Sequence, residues 1–368
     1  MTQTKDVVDS LPADALVECI LHALERYEFR TFVVGFDRDA GYDRAAHERR
    51  FRTLKRKVGE RISLERPGTD ADFLRPDVRV DVGSRLELRV QAAPIFVAGR
   101  YRKLSREIPA TRWVHHACRG RGCPSCRHTG SLCGPSIQEL LSEPMLRLSG
   151  GQRTHLHTLG REDTDARMLG RGRPFVMEVH HPLRRTLDLE EIARSFHASS
   201  AGLAEVEGLA SADPESRAAV KSAVAEKTYR VWLDAGIELP HSAAEIAASL
   251  AGATIHQLSP TRVCHRRGRS ALRTKHVVES QWLGEVDGRY AWEVRVKAGT
   301  YVKELVSGDG GRTRPSLAEL FGVELTCAAL DVLEVHWCPP WEDVSSASPR
   351  REPEGNGLES RHALPIRP

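Results

Sequence analysis

The chain has 368 residues, of which 40% are hydrophobic and 28% charged, and its formal net charge at pH 7 is +4. This length suits two or three domains, each with its own hydrophobic core. Because the sequence contains no run of 18 apolar residues and its first residues lack the pattern of a secretory signal, we expect a cytoplasmic protein without membrane spans.

The arginines are clustered along the chain. One cluster lies within residues 100–127 and a second within residues 262–275. Such clusters are typical of proteins that bind a polyanion, because phosphate contacts and counterion release supply much of the affinity for nucleic acid. Charged loops with scattered counter-charges are the alternative interpretation.

The pattern of residues 1–112 predicts a small α+β unit. Apolar residues at helical spacing alternate with short apolar runs, and Gly83 and Ser84 separate two strands of a hairpin. Cys19, among apolar neighbours of the first helix, is expected to be buried. The expected elements are helices at 5–28 and about 45–59, and strands at 31–36, 78–82, 86–90 and 94–99.

A window directly after this unit contains four of the eight cysteines. Two Cys or His pairs, each with members three residues apart, are joined by a glycine-rich turn. Such paired spacings let two tight turns supply four ligands to a tetrahedral zinc ion, so residues 113–134 are predicted to form a structural zinc-binding segment. The predicted ligands are His115, Cys118, Cys123 and Cys126, with His116 as an alternative to His115 and Cys133 as an alternative to either histidine.

Residues 135–340 alternate between helix and strand patterns. Ser136 and Glu139 form a capping box, and Ser242 and Ser316 are further expected helix caps. Residues 341–368 are rich in Pro, Ser, Glu and Arg without apolar periodicity, so we expect a disordered tail. The expected helices are 136–148, from 186, 214–226, 242–250 and from 316; the expected strands are 174–179, 228–233, 254–257, 276–280, 289–296 and 330–335.

Residues 160–170, Gly-Arg-Glu-Asp-Thr-Asp-Ala-Arg-Met-Leu-Gly, alternate acids and arginines between two glycines. Unpaired burial of these charges would be costly. The stretch is therefore either a solvated turn or a carboxylate that arginines hold in a cleft, as for a nucleophile or an acid/base group. Composition alone favours neither interpretation.

With residues 172–175, Gly-Arg-Pro-Phe, this stretch resembles the hallmark of the archaeal-type tRNA pseudouridine synthases that act on the TΨC loop. The resemblance continues in order along the chain and spans roughly residues 29–335. The further matching segments are 99–104, 108–109, 227–230, 260–267, 299–304 and 307–313.

The resemblance implies a mixed, largely antiparallel, two-lobed catalytic domain at residues 135–340. It also implies an N-terminal RNA-binding domain of the THUMP type at residues 1–112. The family's chemistry needs no organic cofactor and no catalytic metal, so zinc is expected only as a structural ion. The implied partner is the TΨC arm of tRNA, with position 54, position 55 or both modified, and we expect a monomer.

By the same resemblance, Asp163 matches the family's catalytic aspartate, with Asp165 as the second candidate. Lys303 matches the cation that keeps this carboxylate ionised. Tyr229 matches the tyrosine that stacks on the extracted base, and the basic residues would hold the RNA while the base leaves its stack. The expected substrate-binding and RNA-binding residues are Arg161, Arg173, Tyr229, Arg262, Arg266, Arg267, Tyr301 and Leu305.

The sequence departs from the family pattern in its cysteines. Only Cys19 stands where the family has a Cys-x-x-Cys pair near the N-terminus, and His115 stands where relatives often have cysteine. A catalytically silent tRNA-binding adaptor with the same fold is the alternative function, and a zinc-stabilised nucleic-acid-binding protein of unrelated fold is a further one. The presence of both Asp163 and Lys303 favours the enzyme.

Overall fold

A computed structural model describes residues 13–36, 44–83, 87–263 and 271–342, without the side chains of residues 13 and 44–51. The following predictions lie outside these ranges: the first turns of the helix at 5–28, the roles of Arg266 and Arg267, and the tail beyond residue 342. No helix in the described ranges combines the length and the apolar character that a membrane span needs.

Within its described residues, the N-terminal unit packs two helices against a four-stranded sheet. Its elements are α1 Ala13–Leu24, β1 Thr31–Phe36, α2 Arg44–Glu65, β2 Asp70–Ala71, β3 Val78–Val82 and β4 Leu88–Ala92. The strand order is β2-β1-β3-β4, in which β1 is parallel to β2 and β3, and β3 is antiparallel to β4. The predicted hairpin is confirmed with a second strand that begins two residues later, and α2 is longer than predicted.

The core of this unit lies between the helices and one face of the sheet. Ile20, Val58 and Ile62 are fully buried there, and the alternating burial of β3 points Val78 and Val80 into the same core. Cys19 is exposed, so the prediction that it is buried is wrong. The apolar stripe of α1 faces the sheet at position 20, and position 19 lies to the side of it.

A larger sheet dominates the rest of the chain. Its strands are β5 Ile95–Lys103, β6 Arg153–Thr158, β7 Ala166–His180, β8 Ala204–Ala212, β9 Glu226–Asp234, β10 Thr254–Gln257, β11 Arg273–Val286, β12 Arg289–Val296, β13 Thr313–Arg314 and β14 Thr326–His336. Within the described residues the order is β13-β10-β11-β12-β9-β14-β7-β5-β8, and β6 also pairs with β7. The β7–β14 pair is parallel and the other described pairs are antiparallel, so the predicted mixed and largely antiparallel sheet is confirmed.

Six helices flank this sheet in the described ranges. They are α3 Ile137–Ser149, α4 Leu189–Ser200, α5 Pro214–Ser222, α6 Ala243–Ala248, α7 Val302–Ser307 and α8 Leu317–Phe321. The capping box of α3 is confirmed, since Ser136 and Glu139 bond each other's backbone N–H. Ser316 caps α8 through its side chain, whereas Ser242 makes no side-chain cap bond at α6.

Two hydrophobic clusters divide the larger sheet. One is formed by β5, β7 and β8 with α3 and α4, and the other by β9 to β12 with α6, α7 and α8. Tyr229 on β9 packs against both clusters. The sheet between the two clusters is therefore the place where a cleft can open without interrupting either core.

Three strands of this sheet were not predicted: β6, β8 and the two-residue β13. β6 consists of Arg, Thr, His and Leu without apolar alternation, and β8 is rich in alanine and glutamate. Because β5 pairs with β7 and β8, the core of the N-terminal unit ends at Ala92. The domain boundaries at residues 112, 134 and 340 stay predictions.

Candidate active site

The motif at residues 160–165 forms the loop between β6 and β7. Lys103, fully buried at the end of β5, donates its ammonium hydrogens to the carbonyl oxygens of Ile108 (3.0 Å), Thr164 (2.6 Å) and Asp163 (3.4 Å). Burial lowers the pKa of Lys103 to about 8 despite the nearby charges of Glu162 and Asp165. A buried amine thus fixes the backbone of the loop directly at its acidic residues.

A glycine is required at position 170, the end of the longer motif at residues 160–170. Gly170 has a φ of +55°, and a Cβ at this position would lie 1.9 Å from the carbonyl oxygen of Leu333 on β14. No side chain fits so close to a neighbouring strand. Gly170 therefore allows the parallel contact of β7 with β14, which places the loop beside β9.

Glu162 is the buried acid of the motif. Its side chain is 0% exposed and accepts a hydrogen bond from Arg173 Nε at 2.8 Å and one from the Tyr101 hydroxyl at 3.1 Å. Arg173, 2% exposed, also donates to the Leu159 carbonyl at 2.6 Å. Burial and the charge of Glu162 raise the pKa of Tyr101 well above its usual value. This closed ion pair is a structural anchor beneath the loop.

Asp163, the next residue, faces the opposite way and is 46% exposed. Its Oδ2 lies 3.1 Å from Arg262 Nη1 and 3.4 Å from Lys303 Nζ. Two cations from separate parts of the chain, residues 261–263 and α7, thus converge on one accessible carboxylate oxygen. Both cations therefore pair with a carboxylate that stays accessible, as a nucleophile or a base must be.

Lys303 is closest to Asp165, the second candidate. Its Nζ is 2.7 Å from Asp165 Oδ2 and 2.9 Å from Oδ1. Burial would raise the pKa of Asp165, but the hydrogen bond and charge of Lys303 outweigh it and the pKa is lowered. The lysine therefore bridges both acids, and Asp165 holds it in place beside Asp163.

Arg262 is held from the other side by Glu304 of α7, a buried residue whose Oε1 lies 2.7 Å from Arg262 Nε. The backbone that leads into α7 is fixed by the buried Gln257, whose side-chain amide both accepts from the Tyr301 N–H and donates to the Tyr301 carbonyl at 2.9 Å. A buried side chain therefore fixes Arg262 directly, and another fixes the backbone that leads into the helix of Lys303.

The loop, β9 and the segment before α7 enclose a cleft of about 540 Å³. Tyr229 lines it, and burial raises the pKa of its hydroxyl to about 12, so the phenol is neutral at physiological pH. Arg273 lies 5.8 Å from the ring of Tyr301 on the same wall. Among the described residues, seven cations line the cleft against two acids: Arg161, Arg173, Lys227, Arg262, Arg273, Lys275 and Lys303 against Glu162 and Asp163.

The structure brings most of the predicted site residues together around this cleft. Leu305 is different: it is fully buried in the second hydrophobic cluster and does not line the cleft. Arg266 and Arg267 fall outside the described residues. The cleft is lined by Arg161, Asp163, Arg173, Tyr229, Arg262, Tyr301 and Lys303.

Lys227 is a cleft residue that sequence reasoning missed. It precedes Tyr229 by two positions on β9, so both side chains lie on the same face of the strand. Burial, together with the charge of Arg173, lowers the pKa of its amine to about 8. Within the described residues, its Nζ has no ion pair. The alternation of strand residues could have identified Lys227 once Tyr229 was placed in the site.

A second cluster could hold a metal ion. The ligand atoms of His115, Cys118, Cys123 and Cys126 all lie within 4.8 Å of one another, and neither His116 nor Cys133 belongs to the group. The Cys123–Cys126 and Cys118–Cys126 sulfur distances are 3.7 and 3.9 Å, and Cys123 Sγ is 3.6 Å from His115 Nδ1. Zn–S bonds of about 2.3 Å at tetrahedral angles separate two sulfurs by about 3.8 Å, which fits this cluster.

The chain was compared with known proteins. Residues 96–336 match the family described as Pus10, C-terminal. The chain is 40% identical to the tRNA pseudouridine synthase Pus10 of Methanopyrus kandleri over 87% of this chain and 77% of that protein. It is 37% identical to the tRNA pseudouridine synthase Pus10 of Archaeoglobus fulgidus over 88% of this chain and 91% of that protein. A solved Cbf5-Nop10-Gar1 complex aligns with 16% identity and a TM-score of 0.34 over 55% of this chain and 46% of that chain, too low to carry an argument.

Proposed function

This chain belongs to the Pus10 family of tRNA pseudouridine synthases and is an isomerase, and from that premise we propose that it converts uridine to pseudouridine in the TΨC loop of tRNA with Asp163 as its catalytic carboxylate. The observation that supports this role most directly is the convergence of Arg262 and Lys303 on the accessible Oδ2 of Asp163. Position 54, position 55 or both are the proposed targets.

The reaction rearranges bonds without adding atoms. The bond from ribose C1′ to uracil N1 breaks, a bond from C1′ to C5 forms, C5 loses a proton and N1 gains one. Attack on C1′ and removal of a ribose proton both require an ionised carboxylate at the sugar. Asp163 suits this role, because two cations lie within 3.4 Å of its Oδ2 and the cleft gives access to it.

Tyr229 is proposed to stack on the uracil while it is detached from the ribose. Its neutral phenol supports a role as a platform and hydrogen-bond donor, because a hydroxyl with a pKa of about 12 is a poor base at neutral pH. Extracting the base from the stacked loop costs a few kcal/mol. The excess of cations around the cleft would offset that cost by holding the flanking phosphates.

The Cys/His cluster is proposed to bind a structural zinc ion. Four ligands close a tetrahedral centre and leave no position for a substrate, so zinc would stabilise the fold of residues 113–134 without taking part in the reaction. The N-terminal unit is proposed to be a THUMP-like RNA-binding domain, supported by the exposed cations of α2: Arg52, Lys55, Arg56, Lys57 and Arg61. We propose a cytoplasmic monomer.

The test is a comparison of Asp163→Asn with Asp165→Asn. When the uridine of an unmodified tRNA transcript is tritiated at C5, turnover releases this tritium as tritiated water. Asp163→Asn is expected to reduce this release by more than about 10³-fold while tRNA binding stays near the wild-type level. Asp165→Asn retains the carboxylate at position 163 and is expected to keep measurable activity.

Mapping of pseudouridine in the product identifies the modified position. An active Asp163→Asn enzyme would overturn the assignment of Asp163. A wild-type protein that binds the transcript and forms no pseudouridine would instead indicate the silent tRNA-binding adaptor.

A further inference from the structure

The zinc-binding segment exposes large apolar side chains. Trp113 and Leu132 are 42% and 50% exposed. Leu132 N–H donates to the Trp113 carbonyl at 2.8 Å, and the next pair, Val114 and Ser131, forms an antiparallel bridge. Because residues opposite each other in an antiparallel pair project to the same side, Trp113 and Leu132 form one small apolar face.

This face lies in a basic segment, in which Arg112 pairs with Glu139 of α3 at 3.2 Å. Residues 112–134 contain four arginines and no acid. A zinc ion and the three thiolates that hold it would together carry a net charge of −1, so the segment stays positive with the metal bound. Arg119, Arg121 and Arg127 are exposed and form no ion pair with the acids that the structure describes. The charge of these three side chains is available to a partner.

A hydrogen bond connects the chain just before the apolar face to the cleft. Arg161 lines the cleft and donates from Nη1 to the Thr111 hydroxyl at 3.0 Å. Trp113 follows Thr111 by two residues, a span of at most about 7 Å of extended chain. A polymer that occupies the cleft beside Arg161 would therefore have Trp113 within a short distance.

We propose that an insert face, defined as Trp113, Leu132, Arg119, Arg121 and Arg127, binds an unpaired stretch of the RNA whose uridine occupies the cleft, with one nucleobase stacked on Trp113. The inference rests on the proposed action on tRNA and names a further contact for that substrate. Aromatic platforms beside guanidinium groups are the combination that binds single-stranded nucleic acid, because every base offers a ring face and every nucleotide a phosphate. The apolar area is small, and the absence of acids in the segment disfavours a basic protein partner.

The first experiment measures the dissociation constant of full-length, zinc-loaded protein for a tRNA transcript. Trp113→Ala is expected to raise Kd about 5- to 100-fold, the range for loss of one stacked base. Trp113→Phe keeps a ring and is expected to stay within about threefold of wild type. Ile237→Ala is the control, because Ile237 is 57% exposed and lines a separate cavity that shares no residue with the cleft.

A second variant guards against a folding effect of Trp113→Ala. Arg127→Gln removes one exposed charge and is expected to reduce the slope of log Kd against log salt by about one. Zinc content is measured for each variant, and ultraviolet crosslinking to the transcript is expected to label the peptide that contains Trp113. Wild-type Kd for Trp113→Ala, an unchanged slope for Arg127→Gln, or a crosslink map without this peptide would each overturn the proposal. Failure of the proposed function is a separate result, the absence of pseudouridine in the wild-type reaction.

Discussion

The two adjacent acids of the loop, Glu162 and Asp163, should respond to the same substitution in opposite ways. Each can be changed to its amide, which removes the charge and preserves the shape. Glu162→Gln leaves Arg173 as a buried cation without its counter-ion, whereas Asp163→Asn removes the charge of an accessible carboxylate. Stability and activity should therefore separate between neighbouring positions.

The expected loss of stability in Glu162→Gln follows from the burial of the Glu162–Arg173 ion pair. Both side chains of the Glu162–Arg173 pair are almost completely excluded from solvent, at 0% and 2% exposure. Removing one partner of such a pair costs about 3–5 kcal/mol, because the other charge stays buried. For a unit of this size, that loss corresponds to a decrease in Tm of about 6–20 °C. The exposed Asp163–Arg262 pair contributes at most about 1 kcal/mol.

The assay combines thermal unfolding, followed by circular dichroism, with tritium release from the tRNA transcript. Glu334→Gln is the matched control for charge removal, because Glu334 pairs with the largely exposed Arg171 at 3.0 Å. Its Tm should change by no more than about 4 °C. Glu162→Gln should retain turnover below its lowered Tm, and Asp163→Asn should keep its Tm and lose turnover.

A Glu162→Gln protein as stable as the Glu334→Gln control would contradict the role of Glu162 as the counter-ion that Arg173 needs. That result would mean that Arg173 finds another partner or that solvent reaches it. An Asp163→Asn protein that lost as much stability as Glu162→Gln would contradict the prediction for Asp163, because it would make Asp163 part of the same structural anchor.

Three further predictions concern lysines and the metal. Lys103→Met should lower kcat about 10- to 100-fold with little change in KM, because the loop backbone loses its donor; a change confined to KM would contradict this positioning role. The pKa of Lys227 is lowered to about 8, so its charge is lost as pH rises from about 7 to about 9. Affinity for tRNA should fall over that range and Lys227→Gln should abolish the pH dependence, which titration of affinity measures; an equally steep profile in the variant would argue against it. Purified protein should contain about one zinc ion per chain. Metal analysis should find the ion lost in Cys123→Ser and retained in Cys133→Ser, since Cys133 lies outside the cluster. Retention of zinc in both variants would contradict the proposed ligand set.

Much of the fold follows from local patterns. The hairpin of β3 and β4 and the capping box of α3 are set by residues close in sequence, and both are confirmed. β6 and β8 were missed because their place in the sheet depends on pairing with β7 and β5, which are distant in sequence. Strand pairing of this kind overrides weak local preference.

The sequence predicts the site less well where the role of a residue depends on the direction of its side chain. The loop motif contains three acids within four positions, and no pattern distinguishes the buried one from the exposed ones. Burial of Glu162 results from Arg173 and Tyr101, which come from two different strands. Leu305 was misplaced for the same reason. Lys303 faces the cleft, whereas Leu305, two residues later and about 200° around the helix axis, faces the core.

The three acids of the loop are best understood as one electrostatic unit with divided tasks. Glu162 fixes the loop from below through Arg173, and Asp165 fixes Lys303 from the side at 2.7 Å. Asp163 lies between them, 3.4 Å from the same lysine. Because Lys303 is already held by Asp165, it can stabilise the charge of Asp163 without a short ion pair that would block the carboxylate. The proposed catalytic acid needs support from cations and an open face toward the substrate, and the neighbouring acids make both conditions compatible.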